Sequence, residues 1–105
     1  MIPEPLKSFV VQLQEATDKR RVTWEPSTMG VYYCNRNDLT VFIQRFFDDE
    51  RMEASYTMRV VRTGGSEPAF RVTDNEYDYN QMRDLYSSVL INASNFGDLS
   101  QEFFS

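Results

Sequence analysis

The segment DNEYDYN sets carboxylates at Asp74, Glu76 and Asp78, the alternation with which a calcium loop begins. An EF-hand loop opening at Asp74 also requires glycine at its sixth position and glutamate at its twelfth. Those positions hold Tyr79 and Leu85, so the spacing fails and the acids are expected to cap a following helix. Asp48, Asp49 and Glu50 form a second acidic run, read as a solvated turn, and no spacing supports a carboxylate pair for glycoside chemistry. Cys34 has neither histidine nor lysine beside it in sequence to stabilise a thiolate. It is expected to be a small buried hydrophobe. Asn92-Ala93-Ser94 matches the glycosylation tripeptide but falls within a helical pattern, in a chain for which no export signal is expected. Gly64-Gly65 belongs to a hairpin turn rather than a phosphate loop.

The totals narrow the chemistry further. The 105 residues contain no histidine, which removes the usual general base, histidine-paired nucleophiles and histidine-built zinc sites. A reaction would have to rest on carboxylates, tyrosines, arginines or the two lysines, Lys7 and Lys19. A non-catalytic protein is therefore expected, with no cofactor and no metal site. A single cysteine permits no internal disulfide and suits a reducing, cytoplasmic setting. Hydrophobic residues make up 41% and aromatics 14%, enough for one domain over residues 1–105 with its own core. The net charge of -5 lies wholly in the C-terminal third, where six acids face Arg83 alone. Such a field favours basic partners and disfavours nucleic acid.

The elements that would position a site follow from periodicity. Leu6, Phe9, Val10, Leu13, Ala16 and Thr17 fit one face of an amphipathic helix, begun near Pro5 and ended at Lys19, Arg20 and Arg21. VTWEPSTMG reads as a connector, with Trp24 at the core edge and Pro26 and Gly30 halting regular structure. Four extended runs follow, VYYCN, LTVFIQRFF, ASYTMRVVR and AFRVTD, separated by short turn-forming spacers. A second helix over residues 78–95 carries Tyr79, Met82, Tyr86, Val89 and Ala93, widened by Leu85, Leu90 and Phe96, and Gly97 ends it. One more helical turn, anchored by Leu99 and Phe103, closes the chain. The expected fold is α+β: a four-stranded antiparallel β-meander with both helices packed on one face.

The longest run, LTVFIQRFF, breaks the usual alternation. Leu39, Val41 and Ile43 occupy one face with Tyr56, Met58, Val60, Phe70 and Val72, which is the core face. Phe42 and Phe46 fall on the other, with Val61, Arg59, Arg71, Thr57, Gln44 and one of Tyr32 and Tyr33. Three readings compete for this second face. A helix covers it and the phenylalanines are core; or it is buried against another protein or a second copy; or it stacks bases like a nucleic-acid platform. The acidic balance and the lack of an RNP-like motif weigh against the last. The expectation adopted is a partner surface of Phe42, Phe46, Val61, Arg59 and Arg71, with Glu76, Asp78 and Asp84 as an acidic steering surface. The alternative is a small-ligand or nucleotide pocket built from the same aromatic and arginine cluster. No membrane segment is expected.

Phe9, Leu13 and Thr17, with Trp24 soon after, and LYSSVLINASN at 85–95 carry a family resemblance. Through them the chain resembles a loose group of small, mostly uncharacterised bacterial and prophage proteins. The resemblance implies an α-β-β-β-β-α plan and a prokaryotic or phage source, and transfers no activity. The chain is more loosely similar to acidic secretion chaperones, small dimeric α/β proteins whose order of strands and helices differs.

Overall fold

A computed structural model describes residues 1–65, 67–94 and 102–105. A 3-10 turn, Glu4–Leu6, leads into α1 (Lys7–Asp18). Five strands follow: β1 (Glu25–Pro26), β2 (Val31–Arg36), β3 (Leu39–Asp48), β4 (Glu53–Arg62) and β5 (Ala69–Thr73). They are followed by α2 (Tyr79–Ser94). The strands form one antiparallel sheet in chain order. The α+β class and the meander stand, but the sheet has five strands and not four. The additional strand is the Glu25–Pro26 pair, bonded in register to Tyr33 and Tyr32. Proline is tolerated there because β1 is an edge strand, where a missing N–H breaks no ladder. The turn behind it uses two left-handed residues, Met29 at φ 53° and Gly30 at φ 77°.

The basic triplet does end α1, by a more specific device than charge. Arg20 takes the left-handed conformation, φ 59°. Its N–H bonds to the Thr17 carbonyl and that of Arg21 to the Ala16 carbonyl, the two bonds of a Schellman cap. Glycine is the usual residue at such a position.

The core lies on one side of the sheet. Val10 and Leu13 of α1, Met82, Leu85, Tyr86 and Val89 of α2, and Trp24 join the strand residues Cys34, Val41, Ile43, Tyr56, Met58, Phe70 and Val72 in one cluster. Met82, Leu85, Ile43, Met58 and Val72 are fully buried. Leu90, expected to widen the α2 stripe, is instead exposed; its place among the buried α2 residues is taken by Asn92. Residues 102–104 are helical, but Phe103, expected to anchor that turn, is 81% exposed. The expectations for Phe96, Gly97 and Leu99 lie outside the described residues.

Asn92 belongs to a buried polar network. Its side-chain oxygen accepts the Trp24 N–H at 2.8 Å, and its amide donates to the carbonyls of Val22 at 2.9 Å and Thr17 at 3.2 Å. The Trp24 indole donates to the Thr17 hydroxyl at 3.0 Å, which donates to the Leu13 carbonyl at 2.7 Å. Trp24 is thus fully enclosed rather than at the core edge. The network fastens the end of α1, the connector and α2 together. It also occupies the amide of the would-be glycosylation site.

The acids of DNEYDYN cap backbone N–H groups, though in segments other than the helix they precede. The Asp74 carboxylate accepts the Ala54 N–H at 3.0 Å. Buried Asp78 accepts the Ile2 N–H at 2.6 Å, and Glu76 pairs with the Met1 ammonium. These contacts pin the N-terminus to the connection between β5 and α2, and the ammonium also reaches the Arg71 carbonyl of β5 at 2.9 Å. Asp78→Ala should therefore strand a buried N–H and release Ile2 from the core. A loss of about 1–3 kcal/mol is expected, read as a lowered midpoint in urea.

Candidate functional site

Strand register assigns the second sheet face directly. Tyr33 stands opposite Phe42, and Phe42 opposite Arg59. Thr40 faces Val61, Gln44 faces Thr57 and Thr57 faces Arg71. Phe46 lies two positions beyond Gln44 on the same side. None of these residues belongs to the core cluster or packs against it. Both helices contribute their buried residues to the other side. Of the tyrosine pair, Tyr33 takes the outer face, while Tyr32 turns inward and meets Tyr86 edge-on at 5.9 Å.

The outer face has an ordered centre. The Tyr33 and Phe42 rings lie 6.1 Å apart, and the Arg59 guanidinium sits 4.5 Å over the Phe42 ring. Arg59 also reaches Glu67 at 2.8 Å, so it is engaged within the chain rather than waiting for a partner's acid. Stacking and the ion pair hold the guanidinium in one place, and each contributes modestly at such an exposed position. Phe42 and Val61 are half-buried, Phe46 is 49% exposed, and Arg71 is exposed with no carboxylate partner among the described residues. The next residue, Phe47, points to the helix side of the sheet but is also exposed, at 45%. Sequence reading placed it with no site. The available signal was strand length: β3 runs ten residues, and its burial gives way to exposure from Arg45 to Phe47.

The acidic steering surface requires correction. Asp78 is buried against Ile2, and Glu76 is drawn below the usual carboxylate range mainly by its bond to the N-terminal ammonium. Both carboxylates face the N-terminal segment instead of solvent partners. Asp84, on α2 beside Arg83 at 3.5 Å, is the one of the three that is exposed.

A concavity among the described residues lies elsewhere, between α1 and the β2–β3 hairpin. It measures about 400 Å³. The aromatic and arginine cluster does not line it; Phe9, Leu13, Ala16, Val22, Leu39 and Val41 do, with Cys34 among them. Burial pushes the Cys34 thiol up to about 11 from its ordinary 9.0. Holding a thiol neutral favours the fold below pH 9, and that contribution declines as pH rises from there towards 11. At pH 8 the native thiolate fraction should be roughly a hundredfold below that of the unfolded chain. Iodoacetamide should accordingly label Cys34 at least that much more slowly in buffer than in urea, measured by mass spectrometry. Equal rates would show an accessible thiol.

Among the described residues no three histidine, cysteine or acidic side chains converge as a metal cluster, and no helix is long and apolar enough to cross a membrane. The fold and face define a small α+β domain with a meander sheet, covered by the helices on one side and, among the described residues, open on the other. No protein-family profile, curated protein or solved structure matches the chain.

Proposed function

We propose that the chain is a non-catalytic protein-binding module, a small cytoplasmic adaptor, inhibitor or immunity-type factor of bacterial or phage origin, that docks a partner on its open sheet face. One observation carries the reading: Tyr33, Phe42 and Phe46 share a sheet face that neither helix covers, with Arg59 stacked at its centre. Aromatic residues and arginine are enriched where interfaces lose water, and a few such anchors supply most of the binding energy. A guanidinium already held over a ring loses little further freedom on docking. Arg71 is left to pair with a partner carboxylate.

The test is chemical cross-linking of wild type and Phe42→Asp in extract of the source cells, with sedimentation velocity of both purified proteins to detect a second copy as the partner. A species present for wild type and lost with Phe42→Asp supports the reading. Identical patterns from the two proteins refute it.

A further inference from the structure

The cavity under α1 has the size and lining of a ligand site, and it stands independently of the sheet face. Its volume of about 400 Å³ falls in the range of small-molecule pockets. Buried Leu13, Val41 and Cys34 form its depth, between the inner face of α1 and the paired strands β2 and β3. The rim is polar and cationic. Arg21, from the cap of α1, and Arg36, from the end of β2, both line it and both are solvent-exposed. Neither has a carboxylate within ion-pair distance among the described residues. The one acid in the lining, Glu15, is bonded to Lys19 at 2.8 Å and is held below the usual carboxylate range chiefly by that bond, with a smaller contribution from Arg21.

An apolar well thus carries at its mouth two guanidiniums with no carboxylate partner among the described residues. Arg21 also lies at the negative end of the α1 dipole, but among the described residues neither side chain makes an ion pair that would fasten the fold. Guanidinium matches a carboxylate in shape, as a two-point fork, and is more weakly hydrated than an ammonium, so it suits an anion at the edge of apolar surface. We propose that this cavity binds a small amphipathic carboxylate, its apolar body against Leu13, Val22 and Val41 and its carboxylate between Arg21 and Arg36.

Decanoate is a suitable probe, with decanol as the uncharged control, in isothermal titration and thermal unfolding. Decanoate should bind saturably and raise the melting temperature, and decanol should bind at least about tenfold more weakly, since an ionic hydrogen bond is worth about one decade or more. Arg21→Gln with Arg36→Gln should reduce the preference for decanoate to near unity without altering the circular dichroism spectrum. Ala16→Trp, which fills the well from α1, should abolish binding of both probes. Phe42→Asp should leave binding unchanged, which separates this site from the sheet face. No saturable binding by decanoate, equal binding of acid and alcohol by wild type, or binding that survives both the arginine changes and Ala16→Trp would each overturn the proposal.

Discussion

Trp24→Ala should cost about 3–5 kcal/mol, the range for emptying a large aromatic site in a core. A domain of this kind has about 5–15 kcal/mol in total, so the variant should sit near the edge of folding. The reason is positional as well as volumetric. Trp24 lies in the connector between α1 and the sheet, is almost wholly enclosed, and donates its backbone N–H to Asn92 and its indole N–H to Thr17. Alanine keeps the backbone donor but empties the site and removes the bond to Thr17. Asn92→Ala attacks the same junction from α2, leaving the Trp24 N–H and the Val22 carbonyl without their Asn92 partner, while the Thr17 carbonyl keeps the Arg20 N–H. Each group left buried and unsatisfied costs about 1–3 kcal/mol. Because the two residues share one network, the double variant should lose less than the sum of the singles. Urea denaturation followed by far-ultraviolet circular dichroism measures all three; fluorescence does not serve, since Trp24 is the one tryptophan. A loss below about 1 kcal/mol for Trp24→Ala would show that the junction is not part of the cooperative core.

Much of the architecture was legible because burial imposes periodicity. The α1 stripe and the assignment of Val41, Ile43, Tyr56, Met58 and Val72 to the core face follow from residue spacing alone. The first strand was not legible, because two residues carry no period and Pro26 argues for a break wherever edge and centre cannot be told apart. The polar network was harder still. Thr17 and Asn92 are 75 positions apart, and a polar residue within an apolar stripe reads as an interruption until its partner is known. Asn92 lies three residues beyond Val89 and seven beyond Leu85, so its place on the buried face was the available hint. The acids at 74, 76 and 78 show the same limit. Sequence placed them before a helix and suggested the nearest N–H groups, whereas the fold brings Ala54, Met1 and Ile2 to them over distances no local pattern encodes. The candidate face was legible as a set of residues, because alternation along a strand is strict. Its internal arrangement was not: that Arg59 is occupied by Phe42 and Glu67, while Arg71 has no carboxylate partner among the described residues, depends on cross-strand register and loop placement.

That strictness allows a test in which neighbouring residues should behave in opposite ways. Phe42→Asp should leave the domain folded, whereas Ile43→Asp should abolish folding. Ile43 has no exposed surface and lies within the core, so a carboxylate there would be buried with no cation prepared to receive it. Phe42 occupies the opposite face, half-buried, touching Tyr33 and Arg59. Its replacement forfeits an exposed cation–π contact of about 0.5–1 kcal/mol, and a cross-strand Asp–Arg pair of comparable size takes its place. Stability should therefore fall by about 1 kcal/mol or less, with an unchanged circular dichroism spectrum. Affinity for the partner should fall much further, by at least about thirtyfold, because a central aromatic anchor of an interface is worth about 2 kcal/mol or more. Arg71→Ala, further along the same face, should weaken the complex less and should make it less sensitive to salt, as expected for a charge near the rim. If Phe42→Asp unfolds the protein as Ile43→Asp does, both faces of β3 are core in solution and the open face does not exist. If it folds and binds with unaltered affinity, the face exists but the partner docks elsewhere.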